Sequence, residues 1–478
     1  MKQIFSLSGG GCAGHAAALA ASRAGAKNIV LLERYGYMGG DVTGGYVIMV
    51  PNLTWYDKSF VRGIQEEWFT RLEKIPGAVL GPNFNEAGSI NPMLIDRWSA
   101  IHDCVSRCDE VPKRVVRAVY YEPNQLKIEM DKMITEEGDS IRVYYHSWGT
   151  KPIIEGNHIK GVIFESKEGR KAILAKTVID ATGDGDIYSQ AGAPFAEDRD
   201  TETRVSNTAL VYRIGGVDMN AFDDWKRKRP AAASALRQSL IEVTGVKSLP
   251  LPTNNNEIVW INNSVSGMDC TKVKDLTNTE IVIRDKIRDA IEFLRKYIPS
   301  AFQNAYLYDI APQLGARCSR RLEGEYVMTP IDFAFHREFD DVIAWHSTIC
   351  RINDSAPIEI PYRIMLPKKV ENLLCPGRHI SADSVAIDWL ILIPQCIGTG
   401  QAAGVAAAVA LKNGTNVRNV DIKEVQNILV DQDVPIPRHP KTDPSLMKLL
   451  EDHDYGLYTN LARLAKEKPE EFKKYRQW

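Results

Sequence analysis

The sequence is poor in the features that mark membrane, metal and nucleic-acid-binding proteins. No run of eighteen apolar residues occurs among its 478 residues, so we expect no membrane span. Its eight cysteines form no CxxC pair, and its histidines and cysteines lack tetrahedral ligand spacing. This pattern predicts reduced thiols, a cytoplasmic location, no iron–sulfur cluster and no metal site. The formal net charge of −2 argues against a general electrostatic field for nucleic acids.

The first forty residues carry the most specific motif of the chain. A short apolar run leads into residues 9–14, Gly-Gly-Gly-Cys-Ala-Gly, which open an alanine-rich helix before a second apolar run ends at Glu33. Gly9 permits a tight turn, Gly11 lets the backbone approach a pyrophosphate, and Gly14 lets the helix pack closely on a sheet. Glu33 lies where a carboxylate accepts hydrogen bonds from ribose hydroxyls. The segment predicts a β–α–β unit that binds a dinucleotide.

Further glycine-rich segments follow along the chain. The loop at residues 34–45 holds five glycines, which implies close approach of the backbone to something flat or charged. Residues 177–183 form a buried strand that ends on Ala-Thr-Gly, and residues 372–378 end similarly on Gly-Arg. Both strand ends can bring the backbone against a nucleotide, although the aspartates near residue 183 can also form turns and caps. A long helix of small residues begins at Ile393-Pro394, with its N-terminus directed inward.

An arginine-rich segment between residues 311 and 326 has two interpretations. Arg317, Arg320 and Arg321 can bind the carboxylate or phosphate of a ligand through their forked donors. The same arginines can instead pair internally with the nearby Glu323 and Glu325. The sequence leaves both interpretations open.

Apolar spacing predicts the secondary structure in outline. Helical periodicity is found at residues 60–72, 94–104 and 278–297. The first two windows predict a mainly helical region, in which Cys104 and Cys108 lie on one helix face. Strands are predicted at residues 114–121, 141–146, 159–164, 171–174 and 178–179.

Together these segments resemble the family of FAD-dependent oxidoreductases that is related to the fumarate reductase and L-aspartate oxidase flavoproteins. The matching segments lie in the family's order and comprise residues 9–14 with Glu33, 39–43, 161–183, 314–326 and 361–404. The resemblance implies an α/β fold: a Rossmann-like FAD-binding domain of the glutathione-reductase type, with a β-meander, plus an inserted α+β substrate lobe. We expect the FAD-binding domain at residues 1–199 and 355–430, the inserted lobe at 200–354, and a C-terminal helical tail at 431–478.

The resemblance also implies which residues bind FAD. The first three motif glycines cradle the pyrophosphate, Glu33 holds the adenosine ribose, and the strand end at Trp148 and Gly149 contacts adenine. Gly377 and Arg378 lie near the junction of the ribityl chain and the flavin, and the segment from Ile393 faces the isoalloxazine. The full predicted FAD-binding set is Gly9, Gly11, Cys12, Ala13, Gly14, Glu33, Arg34, Gly39, Gly40, Thr43, Trp148, Gly149, Ala181, Thr182, Gly183, Gly377, Arg378, Ile393 and Pro394.

The catalytic and substrate-binding residues are less strongly specified. His379 follows the Gly-Arg strand end and is the best candidate for proton transfer, although it can instead hydrogen-bond the cofactor or backbone. Arg317 and Tyr362 are the other catalytic candidates. Arg320, Arg321 and His336 are candidates for binding the substrate.

The first functional hypothesis is hydride transfer between the flavin N5 and a small polar organic substrate, as in a dehydrogenase or oxidase. The alternatives are a reductase of an activated C=C bond, a flavin monooxygenase, and a protein that binds a nucleotide without redox chemistry. No second GxGxxG motif opens an NAD(P)H domain, which argues against a pyridine-nucleotide disulfide reductase. The substrate, the electron acceptor or donor, the oligomeric state and covalent attachment of the flavin stay open.

Overall fold

The structure is a computed structural model, and it describes most of the chain. The described residues are 5–51, 53–55, 58–59, 61–99, 101, 103–106, 113–197, 207–329, 332–333, 337–346, 358–384 and 386–436. Two predictions lie outside them, namely the substrate-binding role of His336 and nearly all of the C-terminal tail.

The helices are α1 (Cys12–Arg23), α2 (Ile64–Leu72), α3 (Pro92–Ser99), α4 (Pro123–Glu136), α5 (Met219–Lys228), α6 (Pro230–Thr244), α7 (Val273–Tyr297), α8 (Pro299–Phe302), α9 (Ile387–Leu390), α10 (Ile393–Asn413) and α11 (Ile422–Asp431). The strands are β1 (Phe5–Ser8), β2 (Ile29–Leu32), β3 (Met49–Val50), β4 (Thr54–Trp55), β5 (Lys58–Ser59), β6 (Val79–Leu80), β7 (Val119–Tyr121), β8 (Ile141–Tyr144), β9 (Ser147–Glu155), β10 (His158–Ser166), β11 (Gly169–Leu174), β12 (Thr177–Asp180), β13 (Phe195–Ala196), β14 (Thr208–Ala209), β15 (Tyr212–Gly215), β16 (Lys247–Pro252), β17 (Ile258–Ser264), β18 (Tyr306–Ile310), β19 (Gly315–Ala316), β20 (Arg321–Leu322), β21 (Val342–His346), β22 (Ile358–Pro361) and β23 (Leu373–Leu374).

A five-stranded parallel sheet forms the centre of the main lobe, in the order β23-β12-β1-β2-β8. The strands β1, β2 and β12 are short and fully buried, as expected for a parallel sheet covered on both faces, whereas the edge strand β8 is partly exposed. The chain adds β2 and β8 on one side of β1, and β12 and β23 on the other. At this change of side a crevice opens at the carboxyl ends of the strands. The consecutive strands β9, β10 and β11 form a separate antiparallel meander.

Helices α1 and α10 pack directly against each other beside this sheet. A Cβ added at Gly400 would lie 2.2 Å from the carbonyl oxygen of Ala13, and one added at Gly404 would lie 2.2 Å from that of Ala17. Glycine at these two positions, one helical turn apart, therefore lets the two backbones touch.

A second antiparallel sheet, in the order β16-β17-β15-β18, lies between the two parts of the main lobe in sequence. With α5 to α8 it encloses its own core, which includes Phe222, Trp225, Leu294 and Phe302. We call residues 207–329, which hold this sheet and its helices, the second lobe.

Several sequence predictions are confirmed. The β1–α1–β2 unit has the predicted order and bounds, and the helix predicted at 278–297 exists but starts earlier, at Val273. Others are wrong in extent. The strand predicted at 114–121 is confined to Val119–Tyr121, and α3 ends at Ser99. Cys104 therefore lies beyond the helix, so the predicted shared helix face with Cys108 is wrong, and Cys108 itself lies outside the described residues.

Pattern analysis missed three helices, although their starting signals are present in the sequence. The Glu122 side chain accepts a hydrogen bond at the N-terminus of α4, and the Asp218 side chain does the same for α5. Proline occupies the first position of α4 and α6, where it needs no hydrogen-bond partner.

Candidate functional site

A deep cleft of about 1330 Å³, its open mouth included, runs along the carboxyl ends of the parallel strands. Most of the predicted FAD-binding residues line it. They are Gly9, Gly11, Cys12, Ala13, Glu33, Arg34, Gly39, Gly40, Trp148, Gly149, Ala181, Thr182, Gly183, Gly377, Arg378 and Ile393.

Three residues of the predicted set support the cleft from behind rather than lining it. A Cβ added at Gly14 would lie 1.8 Å from the carbonyl oxygen of Gly9, so Gly14 permits close packing of helix on turn. The buried Thr43 hydroxyl donates a hydrogen bond to the Met38 carbonyl. Pro394 is buried in the first turn of α10. The geometry therefore does not provide direct contact between the cofactor and Gly14, Thr43 or Pro394.

The turn after β1 has the backbone geometry that a phosphate cradle requires. Gly9 has φ of +98°, and a Cβ there would lie 2.3 Å from the carbonyl oxygen of Ala181, so only glycine fits. Gly11 differs, because a Cβ added there would meet no atom within 4 Å. The space beside Gly11 is therefore open for a ligand.

Two helices direct their N-termini at this space. Gly11 caps α1 and Leu392 caps α10, and neither end receives a side-chain capping hydrogen bond. First-turn residues of both helices, Cys12 and Cys396 among them, line the cleft. Free N–H groups and the positive ends of two helix dipoles favour an anionic ligand group here.

Glu33 is held rigidly at the edge of the cleft. The backbone N–H groups of Gly10 and Tyr35 donate to its two carboxylate oxygens, at 2.6 and 2.8 Å. Burial raises its pKa, while these two hydrogen bonds oppose the rise. Each carboxylate oxygen keeps a lone pair free to accept from a ligand hydroxyl.

A buried guanidinium between two carboxylates forms the polar centre of the cleft. Arg378 Nη2 donates to Asp184 Oδ1 at 2.6 Å, and Nη1 lies 3.5 Å from Asp41 Oδ2. Gln313 Nε2 donates to the other Asp41 oxygen at 3.3 Å. Arg378 Nε is buried and has no hydrogen-bond partner among the described residues, which leaves a donor available to a ligand.

The three aspartates of the cleft have different electrostatics. Burial raises the pKa of Asp41 against the opposing charge of Arg378. Burial also acts to raise the pKa of Asp184, but Arg378 and the Ser319 hydroxyl outweigh it and lower that pKa overall. Burial together with the charges of Asp184 and Asp180 raises the pKa of Asp186 to about 6.

Sequence analysis missed all three as cleft residues. Asp184 and Asp186 were open to interpretation as turn formers, a role that the structure gives instead to Asp180, whose carboxylate accepts from the backbone N–H groups of Thr182, Ile187 and Tyr188. The sequence did offer a positional signal, because each of the three aspartates directly follows a glycine of a glycine-rich segment.

The second lobe supplies one wall of the cleft, as expected of an inserted substrate lobe, but through residues that were not predicted from the sequence. We call this surface the lobe wall. It consists of Cys270, Leu276, Glu280, Gln313, Leu314 and Ala316. Ile391 and Ile393, at the start of α10, also line the cleft.

The predicted catalytic roles of His379 and Tyr362 are corrected by the structure. His379 is fully buried; its Nδ1 accepts from the Gly185 N–H and its Nε2 bonds the Asp180 carbonyl, both at 3.0 Å. Burial lowers the pKa of His379, so the ring is neutral. The buried Tyr362 hydroxyl donates to the Val417 carbonyl at 2.8 Å. Neither side chain lines the cleft, and both join segments of backbone.

The arginine cluster pairs with other partners than the predicted Glu323 and Glu325 where its contacts are described. Arg320 donates to the Asp184 carbonyl at 2.8 Å and pairs with Asp186 at 3.3 Å, whereas Glu325 pairs with Arg418. Arg321 is buried in β20. Arg317 adjoins Ala316 but does not itself line the cleft. None of the three arginines lines the cleft, so their roles toward a substrate stay predictions.

Two kinds of feature are absent from the described residues. No helix among them combines the length and apolarity of a membrane span. Within the same ranges, no three histidine, cysteine or acidic side chains are grouped so that they could hold a metal ion.

Fold and site together define an α/β protein that binds a dinucleotide at the carboxyl edge of a parallel sheet. The family model described as FAD dependent oxidoreductase matches residues 7–429, so this chain belongs to that family. It is an enzyme, and its cofactor is FAD. The open space at Gly11, the carboxylate of Glu33 and the unpartnered Nε of Arg378 fit that cofactor.

Solved structures resemble the chain over most of its length. A geranylgeranyl bacteriochlorophyll reductase-like protein from Thermoplasma acidophilum is 13% identical, with a TM-score of 0.44 and coverage of 99% of this chain and 98% of that one. The p-nitrophenol 4-monooxygenase of Pseudomonas putida is 10% identical, with a TM-score of 0.44 and coverage of 100% and 97%. The flavin-dependent monooxygenase PieE, solved with FAD and substrate, is 11% identical, with a TM-score of 0.45 and coverage of 97% and 72%.

At TM-scores below 0.5, these likenesses assign neither substrate nor reaction. No curated protein shows a significant sequence match.

Proposed function

We propose that the enzyme transfers hydride between the flavin N5 of FAD and a small organic substrate, as a dehydrogenase or oxidase does. The observation that carries this proposal is Asp41, a partly buried carboxylate of raised pKa that faces the cleft beside the Gly39–Gly40 turn. Oxidation of a C–OH or C–N bond releases a proton as well as a hydride, so the site needs a proton acceptor.

We further propose that the main lobe is an FAD-binding domain of the glutathione-reductase type, related to that of fumarate reductase and L-aspartate oxidase. The parallel sheet draws strands from residues 5–180 and 373–374, on both sides of the second lobe in sequence. This supports the expected division of the domain into two segments, 1–199 and 355–430. The second lobe, residues 207–329, ends before the expected limit of the insertion at 200–354, because Phe333, Phe339 and Ile343 belong to the core of the main lobe. The cytoplasmic location stays a prediction, supported by the free state of the six described cysteines.

The residues of the cleft divide the work of binding FAD. Gly9, Gly11 and the N-terminus of α1 would hold the pyrophosphate, and Glu33 would accept from the ribose hydroxyls. Trp148, half exposed beside the guanidinium of Arg34, would contact the adenine. Bound FAD supplies the two-electron chemistry, and the positive N-terminus of α10 stabilises negative charge that develops on it.

Asp41 is the proton acceptor in this proposal. Its charge acts on the thiols of both Cys12 and Cys396, which places it at the end of the cleft where α10 begins. Gln313 and Arg378 fix the orientation of its carboxylate. Its raised pKa makes it a stronger base than an exposed aspartate, and the charge of Arg378 opposes that rise.

The test is anaerobic mixing of the FAD-loaded enzyme with a panel of alcohols, amines and saturated acids, followed by loss of the flavin absorption band. We expect Asp41→Asn to retain FAD and to slow bleaching by about 10²–10⁴-fold. The wild-type rate should fall on acidification, at a pH above the ordinary aspartate range, because protonated Asp41 cannot accept a proton. Asp139→Asn, at an exposed turn, is the matched control.

Bleaching by no compound of the panel would count against the proposal. Reoxidation of dithionite-reduced enzyme by an activated alkene would then support the C=C reductase. Substrate-dependent oxygen consumption with NADPH would support the monooxygenase.

A further inference from the structure

The lobe wall differs in chemistry from the rest of the cleft. Leu276 and Leu314 extend from it, and Ile391 and Ile393 lie at the start of α10, so aliphatic side chains dominate this part. All four are only partly buried, which leaves apolar surface available to a ligand.

The charged residues of the cleft are distributed unequally. Its described cations are Arg34 and Arg378, and both belong to the main lobe. Arg34 lies over the rings of Tyr35 and Trp148, and Arg378 is held by carboxylates. The described part of the lobe wall has no cation and one carboxylate, that of Glu280.

Glu280 is placed to meet a ligand together with Leu276. The two residues are four apart on α7, so their side chains share one face of the helix. Glu280 pairs with Arg284, which is itself half exposed to solvent. Such exposed pairs contribute little stability, so a ligand cation can compete for the Glu280 carboxylate.

We propose that the substrate is an organic amine with an aliphatic or aromatic body, whose protonated nitrogen is recognised by Glu280 and whose body lies against Leu276, Leu314 and the start of α10. This inference rests on the proposed function and narrows its substrate class. An anionic substrate is disfavoured, because its charge would be desolvated against aliphatic side chains and would lie close to the carboxylate of Glu280. The inference also differs from the substrate carboxylate expected from the arginine cluster, since none of its three arginines lines the cleft.

The test is calorimetric binding to the FAD-loaded full-length enzyme with probes that share one body and differ in charge. Hexylamine, 1-hexanol and hexanoate form one series, and 2-phenylethylamine, 2-phenylethanol and 3-phenylpropanoate form another. We expect the amines to bind at least about tenfold more tightly than the carboxylates, because the ammonium group donates a charge-assisted hydrogen bond to Glu280 whereas a carboxylate meets a like charge there.

Variants separate the two parts of the proposed site. Glu280→Gln should lower amine affinity about tenfold while leaving alcohol affinity unchanged. Leu276→Asn should weaken amines and alcohols alike, through loss of apolar contact. Glu292→Gln, an exposed acid on the same helix and outside the cleft lining, should bind all probes as the wild type does.

The inference is overturned if no amine binds, if carboxylates bind as tightly as amines, or if Glu280→Gln leaves the amine preference intact. Its failure is distinguishable from that of the proposed function, since binding and flavin bleaching are separate readouts. Bleaching without an amine preference would overturn this inference alone. Amine binding that depends on Glu280 but never bleaches the flavin would support the recognition site and count against hydride transfer.

Discussion

At the scale of single residues, the cleft shows how two aspartates two positions apart acquire opposite properties. Asp184 accepts from Arg378 and from the Ser319 hydroxyl, both at 2.6 Å, so its charge is compensated. Asp186 lies near the charges of Asp184 and Asp180, which Arg34 and Arg320, the latter at 3.3 Å, offset only in part. The surroundings therefore stabilise the charge of Asp184 and destabilise that of Asp186.

We predict opposite effects of neutralising them on the free energy of unfolding of the apoprotein at pH 7. Asp184→Asn should destabilise by about 3 kcal/mol, because it leaves Arg378 buried with a weaker partner. Asp186→Asn should stabilise by about 1 kcal/mol, because it removes an unfavourable charge whose folded-state pKa is about 6.

The sign of the pH dependence follows from these shifts. Wild-type Asp186 takes up a proton more readily when folded, so it costs stability as pH rises from about 4 to its folded pKa of about 6. The advantage of Asp186→Asn should therefore vanish near pH 4. The contribution of Asp184, whose pKa is lowered, should be present at neutral pH and be lost as pH falls through its folded pKa. Urea unfolding at pH 4 and pH 7 measures the effect of Asp186, and unfolding below pH 4 measures the loss of the Asp184 contribution. Equal shifts for the two variants would contradict the assignment.

At the scale of elements, the packing of α1 on α10 brings two helix N-termini to one place. Gly400 and Gly404 allow backbone contact with Ala13 and Ala17. A wider separation of the two helices would move the first turn of α10 away from the phosphate cradle. Tight packing in this protein therefore serves the geometry of the cofactor site as well as stability.

Two glycine substitutions distinguish a glycine that is needed for helix packing from one that leaves room for the ligand. Gly400→Ala should destabilise the apoprotein by about 1–3 kcal/mol, because the new methyl group meets the Ala13 backbone, which cannot move aside easily. Gly11→Ala should change apoprotein stability by less than about 1 kcal/mol, since its new methyl group meets no atom within 4 Å.

The effect on FAD should be the reverse for Gly11. The methyl group would occupy the space proposed for the pyrophosphate, so we expect FAD affinity to fall at least about tenfold, or 1.4 kcal/mol. Thermal unfolding of the apoproteins and fluorescence titration with FAD measure the two effects. Unchanged FAD affinity in Gly11→Ala would place the pyrophosphate elsewhere.

At the scale of the whole molecule, the cleft joins parts of the chain that are remote in sequence. β12 and β23 are neighbours in the sheet although nearly the whole second lobe lies between them in the chain. The cleft also has walls from both lobes. A cofactor that contacts all of these parts stabilises the folded arrangement over the unfolded chain.

Removal of FAD should therefore lower the thermal midpoint, and its return should restore the midpoint in a concentration-dependent way. At a hundredfold excess over the dissociation constant, bound FAD contributes about 2.7 kcal/mol. Scanning calorimetry across a series of FAD concentrations checks this, with AMP as the comparison ligand that spans only part of the cleft. A midpoint that does not respond to FAD would contradict binding in this cleft.

The sequence by itself determined the β1–α1–β2 unit, the glycine turns and most of the residues that line the cofactor cleft. These features depend on local requirements, such as the positive φ of Gly9 and the close packing at Gly14, that only glycine meets and that spacing therefore reveals. A carboxylate after the second strand, Glu33, is specified in the same local way.

Only the tertiary structure decided which polar groups face the cleft. Arg378 and Asp184 are 194 residues apart, and Asp41 and Gln313 are 272 apart, so no local pattern joins them. His379 and Tyr362 looked suitable for catalysis because of their chemistry and position, but burial commits both to backbone carbonyls. Whether a polar side chain reaches the ligand or supports the fold depends on long-range packing and desolvation, which the order of residues alone does not display.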